Sequence, residues 1–242
     1  MDWIDQGIVL TTRKHGETSL IVSLLTENHG RHAGLVRGGA GRRNRGVYQP
    51  GNLVSAQWRA RLPEHLGTYT AELLDAKTAA LLNCPLELAA LQSAVSLVEA
   101  TLPERELHPN IFNGLLVVLD SLSNESIWPI VYIKWELGLL KELGFGLDLS
   151  QCAATGVTDN LIYVSPKTGR AISRQAGEKY RHVALHLPKF LIDENTQCGI
   201  ENLHDGMKLS GFFLESHALG GNPLPPARAR FYDKIRQLQS DV

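Results

Sequence analysis

Arg31, Arg37, Arg42, Arg43 and Arg45 crowd the stretch Gly30 to Gly46, GRHAGLVRGGAGRRNRG, and Arg59 and Arg61 follow before any acid appears. No Asp or Glu lies between Glu27 and Glu64. A guanidinium presents a planar fork of donors that matches phosphate oxygens, and it can stack on flat rings. Glycine among such residues lets the backbone turn through positive φ and lets a partner approach closely. The stretch therefore reads as a flexible cationic loop for a polyanion, set against the ordinary meaning of a charge run, a solvated loop tip. Rings are needed if bases are to be stacked. Tyr48, at the edge of the loop, is the ring best placed for this, and Trp58 and Tyr69 are weighed beside it. Trp58 is either core or a stacking platform. The strand register that decides this also decides whether Arg59 and Arg61 face the ligand or cross the barrel. Arg228 and Arg230, followed by Lys234 and Arg236, form a second positive set, either a solvated helix end or a secondary contact along a nucleic-acid strand.

Bond-making chemistry has no comparable signature. The chain contains no GxxxxGK[ST], no strand-linked GxGxxG, no GxSxG and no HExxH, which argues against nucleotide hydrolysis and the common hydrolase mechanisms. His182 and His186 are four apart and would share a helix face, but with no neighbouring cysteine or carboxylate they read as structural rather than as a metal pair. Cys84, Cys152 and Cys198 are odd in number and widely spaced, indicating neither a disulfide framework nor a zinc site. A formal charge of -1 over 242 residues means that the positive charge is local, which suits one patch facing a polyanion. The hydrophobic fraction of 43% is enough for a real core. No run approaches the roughly 20 apolar residues of a membrane span, and MDWIDQGIVL carries acids where a signal peptide carries positive charge. A soluble, cytoplasmic protein with no membrane partner is expected.

The elements that must position the loop follow from periodicity. GIVLTTR, TSLIVSLLTE, RHAGLVR, NLVSAQWRAR and GTYTAELLDA are five short β-branched runs separated by turn residues. Five strands with one long loop suggest a small closed barrel, the oligonucleotide-binding (OB) fold first and an SH3-like barrel as the alternative. After Ala76 the period becomes helical, with helices expected from Pro85 to Leu102, Pro109 to about Asn124 and Pro129 to Leu143. A short helix is expected near Phe190, a longer one over Asn202 to Leu219, and a basic last helix from about Arg228 to Gln237. A polar excursion between Phe145 and Gly177 reads as a hairpin module inserted among them. The fold class is thus α+β, with a five-stranded barrel over 1–80 and a helical domain over 81–242 that carries the insertion at about 145–180.

The order of GETSLIVSLLTENHGR, LVRGGAGRRNR, YQPGNLV, WELGLLKELGFGLDLSQCA and YVSPKTGRAISRQAG resembles the RecO family of DNA repair and recombination proteins over nearly the whole chain. The resemblance implies an OB-fold barrel, a helical bundle, and the work of a recombination mediator rather than an enzyme. Such a mediator binds single- and double-stranded DNA, anneals complementary strands and, with RecR, helps RecA load where the single-strand-binding protein SSB sits. It would act in the cytoplasm at the nucleoid. Some family members hold zinc in the hairpin module with two CxxC pairs. Here only Cys152 remains, with Thr155 where the first pair would close and Ser173 and Ala176 at about the second. The resemblance therefore implies a knuckle without metal and no cofactor. An RNA-binding barrel and a barrel that docks only protein are the competing readings.

Overall fold

The computed structural model describes residues 1–42, 44–124, 126–193, 196 and 199–240. Arg43 lies outside them. Five strands, β1 (Asp2–His15), β2 (Ser19–Thr26), β3 (Gly30–Val36), β4 (Leu53–Arg59) and β5 (Thr68–Asp75), close into a barrel in the order β1-β2-β3-β5-β4. In β3 and β4 the side chains alternate inward and outward as a half-buried strand requires, with Val54, Ala56 and Trp58 pointing in. β1 and β2 lose that alternation around Ile8 to Leu10 and Val22 to Thr26, where both faces are buried. The cause is a helix packed on the outside of β1. The barrel is zipped by long antiparallel registers everywhere except its seam, where β3 and β5 run parallel and pair only through Leu35 and Thr68.

Three helices complete the first compact unit, which runs from Met1 to Ser123. They are α1 (Lys77–Ala80), α2 (Pro85–Thr101) and α3 (Pro109–Ser121). Proline begins both α2 and α3, where its missing N–H costs nothing and its fixed φ is already helical. The last barrel strand ends at Asp75. The unit nonetheless continues to Ser123, because α2 packs on β1 and α3 on α2.

The second unit, Asn124–Val242, holds α4 (Trp128–Glu142), a three-stranded sheet in the order β7-β6-β8, and three further helices. The strands are β6 (Leu161–Val164), β7 (Ala171–Ser173) and β8 (Leu185–His186), and the helices are α5 (Arg174–Gly177), α6 (Ile200–Phe213) and α7 (Pro226–Ser240). The helix expected near Phe190 is a single 3-10 turn, and the longer one ends in a π turn over Leu214–Ala218.

Arg228 corrects an expectation. Its side chain is 1% exposed and cannot meet DNA. Its Nε donates to Glu136 Oε1 at 2.6 Å, and its terminal nitrogen to Glu136 Oε2 at 3.0 Å and to the Met207 carbonyl at 2.9 Å. Ser210 adds a hydroxyl donor to the same carboxylate. Burial alone disfavours the guanidinium charge, and Glu136 opposite outweighs that, so Arg228 fastens α7 to α4 and α6 as a cation. Arg230 is exposed on the same helix.

The hairpin module around Cys152 does not fit a zinc ion. Cys152 is buried, and its Sγ accepts the Ser173 N–H at 3.3 Å. Burial pushes the thiol up, but hydrogen bonds from Ser173, Thr155 and the Ala154 N–H outweigh it and hold the group at about 6. Hydroxyls at 155 and 173 are donors to the sulfur, whereas a zinc knuckle needs thiolate or imidazole donors to the metal. The knuckle is closed here by hydrogen bonds.

His182 and His186 do not share a helix. His182 lies in a turn, while His186, in β8, places Nδ1 2.9 Å from Asp205 on α6. Among the described residues no group of three or more His, Cys, Asp or Glu is placed to hold a metal. Among them, too, no helix is long and apolar enough to cross a membrane.

Candidate functional site

The cationic segment is not loose. Residues 37–42 and 44–48 form turns, closed by N–H donors from Gly41 to the Gly38 carbonyl, from Asn44 and Arg45 to that of Gly41, and from Val47 to that of Asn44. Side chains brace it: Asn44 Nδ2 donates to the Gly38 carbonyl at 3.2 Å and Gln49 Nε2 to that of Arg45 at 2.8 Å. Buried Asn52 donates to the Gly46 carbonyl at 2.8 Å. At Gly51 the chain must turn back into the barrel with φ +92 while passing Leu91 of α2, and a Cβ there would come within 2.6 Å of the leucine. Only glycine meets both demands.

Tyr48 is what holds the segment down, and this corrects its expected role as a stacking ring. It is 5% exposed and packs in the barrel core with Val9, Val36, Trp58 and Tyr69. Burial raises its phenol above the ordinary value, opposed by a backbone hydrogen bond at Ala71 of β5. Two grooves flank it. One, of about 410 Å³, is lined by Thr12, Lys14, Arg45 and Gln49 among others. The second, of about 370 Å³, runs along the seam past Arg37, Asn44, Thr68 and Thr70. No carboxylate is among the described lining residues of either groove.

Arg37, Arg42, Arg45, Arg59 and Arg61 are all exposed. Arg59 closes β4 with its side chain outward, one position after inward-facing Trp58, and stands 3.8 Å from Asp2, a solvated pair of little energetic weight. It pairs in the sheet with Thr68, which in turn pairs with Leu35, so the sheet joins Arg59 to β3, the strand that Arg37 follows. Arg31 does not belong to this set. Its Nε donates to the Leu102 carbonyl at 2.8 Å, and its terminal nitrogen lies 3.3 Å from Glu99 and 3.6 Å from Glu104. Glu99 also accepts the Ser23 hydroxyl at 2.6 Å. Arg31 thus fastens the barrel to α2 and the segment after it. The acids that neutralise it lie some seventy positions along the chain, where the acid-free stretch around the loop gives no warning of them.

Trp58 is core, at 2% exposure, with its indole N–H donating to the Leu66 carbonyl at 2.9 Å. Tyr69 is buried and its hydroxyl lies 3.0 Å from His32 Nδ1. None of these three rings offers a face to solvent. What the structure adds to the site is Lys14. Lys14 lies near the end of β1, and the turn after it is tied to the cationic segment by the Ala40 N–H donating to the Thr18 carbonyl at 2.9 Å. Arg13, Lys14 and His15 are exposed there, as is Glu17. The basic run before Gly16 was the available signal, but adjacency to the loop is a property of the closed barrel.

The assembled surface is a braced cationic rim with two polar grooves and no buried acid-base pair. It can hold phosphate oxygens through guanidinium and ammonium donors in a salt-sensitive, sequence-tolerant way.

Residues 1–76 match the family model for the N-terminal part of recombination protein O, and residues 85–224 that for its C-terminal part. Among similar proteins, one from Rhodospirillum centenum named DNA repair protein RecO is 53% identical over 241 residues, covering 98% of this chain and 96% of its own. A protein of the same name from Ruegeria is 48% identical over 238 residues, with 97% and 98% covered. Another from Caulobacter vibrioides is 44% identical over 239 residues, with 98% covered on both sides.

Proposed function

The chain belongs to the RecO family of DNA repair proteins, and on that premise we propose that it is a recombination mediator that grips DNA by its phosphates at the braced loop. It binds single- and double-stranded DNA, anneals complementary strands and, with RecR, helps RecA load onto DNA held by SSB. It works in the cytoplasm at the nucleoid, without a metal or organic cofactor, and makes or breaks no covalent bond. The observation that carries this reading is the exposure of Arg37, Arg42 and Arg45 beside Lys14 around a buried Tyr48, with no carboxylate among the described residues lining the flanking grooves. Two like-charged strands repel each other, and a cationic surface that screens them without reading sequence lowers the barrier to pairing. Arg59 and Arg61 extend the same field as weaker contributors.

The test is binding of a labelled single-stranded oligonucleotide across a salt series, for the intact protein and for an Arg37→Ala, Arg42→Ala, Arg45→Ala triple variant. The salt slope for single strands falls by about 0.7 for each phosphate that the protein no longer neutralises, so the triple variant is expected to flatten it by about 2. Equal affinity with an unchanged slope would remove the loop from the DNA site. A marked preference for RNA of the same sequence would favour the RNA-binding reading, and no polyanion binding at moderate salt would favour a protein-docking barrel.

A further inference from the structure

We infer that the hairpin module of the second unit carries a second single-stranded DNA site, centred on Tyr180 and the cations around it. The inference rests on the DNA-binding reading above and adds a site that the loop does not supply. From Asn160 to Ile192 the sequence holds a single carboxylate, Glu178. Against it stand Lys167, Arg174, Lys179, Arg181 and Lys189, all exposed. Arg170, 3.2 Å from Asp148, is already engaged. Arg181 meets Glu178 at 3.3 Å with both side chains 59% exposed, a pair that solvent screens and a phosphate can displace.

The ring sits where a base could use it. Tyr180 is 59% exposed and Val183 is 65% exposed. Nothing else in the described part of the chain places so exposed an aromatic ring among cations, and the loop site has no exposed ring at Tyr48, Trp58 or Tyr69. The backbone under Tyr180 is fixed. Gly177 lies so close to Tyr163 that a Cβ would come within 2.3 Å of its ring. The Arg174 N–H donates to the Asn160 carbonyl at 2.9 Å, and the Val183 and Ala184 N–H groups both close back on the Tyr180 carbonyl at 2.9 Å. A protruding ring on a rigid turn, with cations on either side along the chain, is how sequence-tolerant single-strand binding is built: the ring takes the base and the cations follow the backbone. An acidic peptide would need a recess for its apolar anchor, whereas Tyr180 and Val183 project. A second grip in the same chain would let one molecule hold both strands that it anneals.

The experiment compares four full-length proteins across a salt series with a labelled single-stranded oligonucleotide. They are the intact chain, the loop triple variant, an Arg174→Ala, Lys179→Ala, Arg181→Ala variant, and Tyr180→Ala, with circular dichroism confirming equal folding. The substituted side chains are exposed, so the fold is expected to survive. The module triple variant should flatten the salt slope by up to about 2. Tyr180→Ala should weaken binding by about 5- to 100-fold with the slope unchanged. If the loop variant is impaired while both module variants match the intact protein, the module site is overturned and the loop reading stands. If the module variants are impaired and the loop variant is not, the loop reading falls and the module site stands. If the intact protein binds no DNA, both fall. A polyglutamate peptide that binds the intact protein more tightly than the oligonucleotide does, and loses that binding in the module triple variant, would replace DNA with an acidic protein partner and overturn the proposal.

Discussion

Replacing Arg228 by methionine isolates the buried ion pair of the second unit. The side chain keeps most of its length and packing and loses its charge. Glu136 then loses the donors at 2.6 and 3.0 Å, and the Met207 carbonyl loses the one at 2.9 Å. Among the described residues, Ser210 still serves the carboxylate. Breaking one side of a fully buried pair costs about 3–5 kcal/mol, because the remaining charge is left uncompensated. For a unit of this length, at roughly 3–4 °C per kcal/mol, the melting temperature should fall by about 10–20 °C. The double variant Arg228→Met, Glu136→Leu removes both charges. Ser210 keeps its bond to the Gly206 carbonyl at 3.0 Å, so the pair of changes should recover most of the loss. Thermal and urea unfolding of the three proteins is the assay. A loss below about 1 kcal/mol for Arg228→Met, or a double variant no better than the single one, would refute the claim that this pair locks α4, α6 and α7. The salt slope of DNA binding below the melting range should not change, since Arg228 is 1% exposed.

Tyr48→Ala should cost about 3–5 kcal/mol in barrel stability, the range for emptying a buried aromatic site, and should weaken DNA binding because the loop loses its anchor. Tyr48→Phe should cost about 1 kcal/mol for the lost bond to Ala71 and leave DNA affinity within a factor of about two; a large loss of affinity with Phe would return the hydroxyl to the ligand. His32 supplies a pH dependence: burial, then the charge of Arg105, lowers it to about 4 from 6.5. The unfolded chain therefore takes up its proton first. The stabilisation is fully present above about 6.5 and is lost as the pH falls through about 4. Melting temperatures of the intact protein and His32→Gln measured from about pH 7 to about pH 4 should converge on the acid side. Parallel curves would show that His32 does not titrate this way.

Much of the molecule was legible in its sequence. Five β-branched runs broken by turn residues, prolines at the starts of α2 and α3, and a glycine- and arginine-rich insertion between the third and fourth runs are local signals. Backbone preference and hydrophobic period report them wherever the chain folds. Cys152 in the hairpin module accepts the Ser173 N–H, a bond that the sequence around it does not announce. Which of the charged and aromatic residues are free to meet a ligand is a different matter. Arg31 is engaged by Glu99 and Glu104, Arg228 by Glu136, and Tyr48 by the barrel core, all through partners distant in sequence. Lys14 joins the site because closing a barrel brings the first turn beside the loop. Composition fixes where charge is concentrated along the chain. Whether a given charge is spent on holding the fold or left for a partner depends on long-range pairing and burial, and only the tertiary structure decides that.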